Sequence, residues 1–215
     1  MTRFTVHATA LAFALLAGAA LPGLAAAQDT APDALVKGIT QDVVGIIRQD
    51  KDIQSGNIKK IADLVDTRIL PYFDFARMTQ LALAVNWRRA TPEQQKTLTQ
   101  EFRTLLVRTY SAALASYRDQ TIDYKPLRAR PEDTEVTVRS EVKQRGGQAI
   151  AIDYDMEKSA GGWKVFDIKV DGVSLITTYR EDFANQVRDS GLDGLIKTLS
   201  TKNRQAKTRG KVDKT

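Results

Sequence analysis

Downstream of Pro32 the apolar residues recur at helical spacing. Leu35, Ile39, Val43 and Ile46/Ile47 form one stripe along a first helix. Asn57 is placed to N-cap a second helix, with Ile58, Ile61 and Leu64/Val65 facing inward. That helix ends at Leu70-Pro71, because the residue before a proline avoids the α region. A short helix follows over Asp74 to Ala84. The sharpest boundary is Thr91-Pro92-Glu93-Gln94, with Thr as N-cap, Pro at N1 and a Gln able to close a capping box. Its helix runs to about Tyr117, with Leu98, Phe102, Leu105/Leu106, Thr109 and Ala113 on one side.

After Arg118 the period changes from helical to alternating. Ile122 and Tyr124 alternate, as do Val136, Val138 and Val142, and Ile150, Ile152, Tyr154 and Met156. Val165, Phe166, Ile168 and Val170 make a last strand whose phase slips near Val165–Phe166, the mark of a bulge. Arg145-Gly146-Gly147-Gln148 and Ala160-Gly161-Gly162 carry tight-turn chemistry. Two more helices are expected, about Val173 to Asp189 and Leu192 to Lys202, separated at Gly191. The order predicts a single α+β domain, a twisted four-stranded antiparallel sheet with helices on one face.

The first residues set an expectation about export. Arg3 precedes an apolar run over residues 8–21, broken by Pro22-Gly23, and Ala25-Ala26-Ala27 fits a small-residue cleavage site. Residues 1–27 therefore read as a signal peptide, too short for a membrane anchor, and the protein as periplasmic. Removing them removes His7, the one histidine, and the chain has no Cys. Nucleophilic triads using His, thiol chemistry, His/Cys zinc sites, haem ligation and iron–sulfur clusters are thereby excluded from the mature protein. The formal charge of +6 is concentrated in the tail, where Lys202, Arg204, Lys207, Arg209, Lys211 and Lys214 face Asp213 alone. The domain is read as residues 28–203 and residues 204–215 as a basic disordered tail, solvated or in contact with anionic headgroups or an acidic partner. With the body near neutral, the basicity does not imply nucleic acid.

Remaining chemistry would have to come from carboxylates or paired cations. Asp153 and Asp155 fall on the strand face opposite Ile152 and Tyr154, the solvent side. Asp167 lies within an apolar strand, where a buried carboxylate either acts as a base with a raised pKa, as in cone-shaped isomerases, or caps a neighbour or pairs with an Arg. Arg88-Arg89 either touch a phosphate or ring, or are solvated. Phosphate-binding glycine motifs are absent, and no metal site or cofactor is expected. More prominent are large apolar residues at element ends: Tyr72, Phe73 and Phe75 around Asp74, then Met78, Leu81 and Trp87.

The motifs in order resemble one family. LPYFDFARMTQL (Leu70 to Leu81), Asn86-Trp87-Arg88 and the TPEQQ helix start continuing into FRTLLVRTY form one block. GGWKVFDIKVDGVSLITTYR, from Gly161, followed by FANQVRDSGLDGLIKTLSTKN, forms the second. Together they resemble the MlaC family, periplasmic phospholipid-binding components of the lipid-asymmetry maintenance system, over residues 32–203. The resemblance implies a non-enzymatic carrier with acyl chains in an apolar lipid cavity between helices and sheet. The implied partners are a phospholipid ligand, an outer-membrane lipoprotein–porin complex and an inner-membrane ABC transporter bearing a ring of MCE domains. The expected lining is Tyr72, Phe73, Phe75, Met78, Leu81, Phe102, Leu106, Tyr110, Ile150, Ile152, Tyr154, Phe166, Ile168, Val173 and Leu175, with Val173 of the DGVSL motif foremost. The competing readings are a periplasmic chaperone with an apolar groove for unfolded polypeptide, and an isomerase using Asp167.

Overall fold

The computed structural model describes residues 30–115, 117 and 119–212; the expected signal peptide lies outside them. The chain builds α1 (Pro32–Gln49), α2 (Lys51–Gln54), α3 (Ile58–Arg68), α4 (Phe75–Leu83) and α5 (Pro92–Ala115). It then forms strands β1 (Thr121–Tyr124), β2 (Glu135–Lys143), β3 (Ile150–Ser159), β4 (Gly162–Val170) and β5 (Val173–Ser174), and ends in α6 (Leu175–Val212). Short 3-10 turns at Leu70–Tyr72 and Ala84–Arg89 flank α4.

Local chemistry sets these boundaries. Before α5, Thr91 Oγ accepts from Gln94 N at 3.2 Å and Gln94 Oε1 accepts from Thr91 N at 3.0 Å, closing the capping box. Asn57 accepts from Lys60 N at 3.3 Å before α3, and Asp74 from Arg77 N at 2.8 Å before α4. Gly191 interrupts α6 with φ 71° and ψ −179°, a conformation essentially confined to glycine. The backbone stays helical to Val212, beyond the Asn203 boundary drawn from sequence.

The strands form one antiparallel meander, in order β1-β2-β3-β4-β5. The expected count of four is corrected to five. Asp171 and Gly172 both take positive φ, 48° and 81°, the requirement of a type I′ two-residue turn. They fold Val173–Ser174 back onto Val170 and Lys169. Val173 therefore belongs to a strand, and the helix expected there begins two residues later. The slip in β4 is real: Asp155 faces Asp167 and Met156 faces Val165, which leaves Phe166 as the extra residue. In consequence the inward phase passes from Trp163 and Val165 to Ile168 and Val170.

The outer sheet face is charged, as the alternation requires. Asp155 meets Lys169 at 2.7 Å and Thr137 at 2.7 Å, Asp153 meets Arg139 at 3.8 Å, and Lys125 meets Glu141 at 2.8 Å. The helices pack on the other face, where apolar side chains gather in three clusters. One joins α4, α5 and α6 around Leu98, Phe102, Phe183 and Leu195. A second joins α1, α2 and α3 around Val43, Ile47, Ile61 and Leu64. The third places Val36 of α1 against Val138, Met156, Trp163 and Val165 of the sheet.

Candidate functional site

The three clusters meet without merging, and between them lies a cavity of about 510 Å³. Its helical wall is Val36, Ile39, Thr40, Val43, Val44 and Ile47 of α1, Val65 of α3, Met78 of α4 and Leu106, Val107, Tyr110 and Ser111 of α5. The turn after α3 adds Ile69, Leu70, Tyr72 and Phe73. The sheet wall is Ile122, Val142, Ile150, Ile152, Tyr154, Met156, Val165, Ile168 and Val170, and Leu175 at the start of α6 completes it.

Among the described residues no charged side chain lines this space, and its polar members are neutral: tyrosines, Thr40, Ser111, Gln120 and Gln144. Several already have partners. Thr40 donates to the Val36 carbonyl at 2.8 Å, Ser111 to the Val107 carbonyl, and Tyr117 to the Gln120 carbonyl at 2.6 Å. Burial pushes the Tyr154 phenol up to about 12, the Ser140 hydroxyl offsetting part of that rise. Tyr110 is pushed up to about 12 as well, by burial and by Tyr179 beside it. Both phenols are therefore neutral across the physiological range. Tyr110 and Val170 are respectively 39% and 36% exposed although they line the cavity, and so mark where it meets solvent.

Ten of the fifteen residues expected at the site are brought together here: Tyr72, Phe73, Met78, Leu106, Tyr110, Ile150, Ile152, Tyr154, Ile168 and Leu175. Five are elsewhere. Phe102 is fully buried in the α4–α5–α6 core, edge-on to Tyr179 and Phe183 at 5.1 Å each. Leu81 packs against the same core. Phe75 does too, and it stacks on Phe73 at 5.7 Å. Phe166, the bulge residue, lies under the Arg77 guanidinium at 3.8 Å, with Arg77 held by Glu135 and Glu157. Val173 is 62% exposed on its two-residue strand, and so contributes nothing to the wall. The sequence reading missed the contribution of α1, whose apolar stripe was the available signal.

The alternatives for Asp167 resolve into capping. Asp167 is 7% exposed, and its carboxylate accepts from Ser174 Oγ at 2.5 Å and from Ile176 N at 3.3 Å at the start of α6. Ser174 Oγ in turn accepts from Thr177 N at 3.0 Å. Both carboxylate oxygens are thus engaged in joining β4 to α6. Among the described residues no group of three or more Asp, Glu, His or Cys side chains is placed to hold a metal ion.

With this geometry in view, four similarities bear on the site. The family model described as MlaC protein matches residues 37–201. Toluene tolerance protein ttg2D of Pseudomonas putida is 29% identical over 182 residues, covering 84% of this chain and 83% of that protein. The intermembrane phospholipid transport system binding protein MlaC of Haemophilus influenzae is 23% identical over 171 residues, covering 78% and 80%. Among solved structures, a phospholipid-binding protein from Ralstonia solanacearum in complex with a phospholipid matches with a TM-score of 0.76 and 44% identity. That match covers 83% of this chain and 98% of the Ralstonia chain.

Proposed function

Because the chain belongs to the MlaC family, we propose that it is an exported phospholipid carrier, holding acyl chains in the cavity between α1, α5 and the sheet. The carrying observation is a space of about 510 Å³ walled mainly by apolar side chains, with no charged one among the described residues. It falls within the 300–1,000 Å³ typical of ligand sites, and it lies in a chain 44% identical to a protein solved with phospholipid bound. Sheathing acyl chains is worth about 0.8 kcal/mol per methylene, which suits a lipid that must cross water. The headgroup remains at the opening near Tyr110 and Val170.

The same reading has the carrier working in the periplasm, moving lipid between an outer-membrane lipoprotein–porin complex and an inner-membrane ABC transporter with an MCE ring. It performs no chemistry there. Support for that comes from Asp167, whose two carboxylate oxygens are both occupied in capping α6.

Native mass spectrometry of protein purified from a bacterial periplasm without detergent tests this. The expected result is a mass excess equal to one or two diacyl phospholipids, released into organic solvent. A bare polypeptide that also takes up nothing from liposomes would overturn the carrier reading, and co-purifying peptide would favour the chaperone.

A further inference from the structure

Leu199 is the last residue that α6 contributes to its apolar core. Asn203 is buried as well; its Nδ2 donates to the Glu101 carbonyl at 3.0 Å and to the Glu101 carboxylate at 2.6 Å. Arg204 and Gln205 are exposed, and helical backbone continues to Val212. This stretch lies beyond the residues that match the family.

Its composition is one-sided. Lys202, Arg204, Lys207, Arg209, Lys211 and Lys214 stand against Asp213, and together with Arg3 they account for the whole formal charge of +6. From Arg204 onward a basic residue stands at every second or third position, at 204, 207, 209, 211 and 214. Between them stand Gln205, Ala206, Thr208 and Gly210, with Val212 the one larger apolar residue. Such a segment is suited to electrostatic attraction at a surface and not to insertion.

Two contacts give its direction. Gln94 reaches Asp193 at 2.8 Å, and Asn203 reaches Glu101, so the second half of α6 runs alongside α5 in the same sense. Tyr110, at the cavity opening, lies further along α5 in that same direction.

We propose that this basic helical extension is a docking arm for anionic phospholipid bilayers, holding the protein at a membrane surface. Its use in lipid exchange rests on the carrier reading above; the docking itself does not. A dense run of basic residues with Asp213 as its one acidic member fits a bilayer better than a protein. A lipid surface offers anionic groups at every spacing, whereas an acidic protein must match a fixed pattern.

Vesicle co-sedimentation decides it. The full chain is compared with a chain ending at Asn203 and with a variant carrying Arg204, Lys207, Arg209, Lys211 and Lys214 all changed to Gln. Vesicles of phosphatidylcholine alone and of phosphatidylcholine mixed with phosphatidylglycerol are the probes. The full chain should bind the mixed vesicles about tenfold or more tightly than either variant. It should release them near 1 M salt, where the Debye length is about 3 Å, and bind neutral vesicles no better than the variants do. Equal sedimentation of all three chains overturns the proposal. So does binding to polyglutamate that needs the extension, with none to the mixed vesicles. Extraction and mass spectrometry of the same three preparations keep the two ideas apart. Phospholipid retained by all three leaves the carrier reading intact whatever the sedimentation shows. Phospholipid missing from all three counts against that reading alone.

Discussion

Two polar side chains, Asp167 buried and Tyr154 half-buried, show how single residues hold this fold, and each makes a prediction. Asp167 closes the junction between β4 and α6 by accepting from the Ser174 hydroxyl and the Ile176 amide. Replacing it with Ala leaves both donors without that acceptor, at a cost of about 2–3 kcal/mol in unfolding free energy by urea titration. Asp167→Asn should also destabilise while leaving lipid retention unchanged, and a variant of wild-type stability would refute the capping role. Tyr154 concerns the cavity wall. Its folded pKa is raised to about 12 against an ordinary 10.0, so its stabilising contribution is complete below about pH 10. The contribution is lost as pH rises through about 12, because the unfolded chain ionises first. Over that window the protein should lose up to about 2–3 kcal/mol that the Tyr154→Phe variant does not lose. Tyr110 shifts the same way but is more than a third exposed, and solvent screening makes its share small.

At the scale of elements, much was legible in the sequence because local chemistry decides it. The capping box at Thr91–Gln94, the Asn57 cap, the break at Gly191 and the slip in β4 follow from short-range rules. Gly191→Ala should cost about 1–3 kcal/mol by the same denaturation assay. No neighbour crowds the added methyl, so the cost comes from the backbone conformation. Pattern was less able to say which apolar side chains meet. Phe102 and Leu81 have the hydrophobicity and spacing of wall residues, yet the helix faces carrying them turn toward α6. The stripe of α1 has the same character and turns toward the cavity. Periodicity identifies an inward face but not which of several inward spaces it fills. Val173 was misplaced for a different reason: Asp171-Gly172 is a strong hairpin signal, and reading the segment as helix passed over it. The two valines therefore make a paired test. Val44→Glu puts a charge on the α1 wall, where burial without a partner is costly, and should abolish phospholipid retention by mass spectrometry. Val173→Glu, on an exposed strand, should leave it at the wild-type level.

For the molecule as a whole, the cavity exists because three apolar clusters share a boundary that none of them fills. Met78 and Leu106 face it from the α4–α5–α6 core, Val43, Ile47 and Val65 from the α1–α2–α3 cluster, and Val36, Met156 and Val165 from the sheet cluster. A void of this kind forfeits dispersion contacts along its whole lining, so the empty protein is less stable than its core residues alone would make it. A ligand that binds only the folded state restores the loss by mass action, about 2.7 kcal/mol when free ligand stands at 100 times its Kd. Protein stripped of lipid should therefore melt at a lower temperature than protein as purified, and adding phospholipid vesicles should return the difference. Narrowing the void separates this effect from general fragility. Val44→Phe extends a ring from α1 into the space, and it should reduce both the lipid retained and the gap in melting temperature between stripped and loaded protein. Phe102→Ala, deep in the neighbouring core, should cost about 3–5 kcal/mol in both states alike. A melting temperature unchanged by stripping in the wild type would mean that lipid does not fill this cavity.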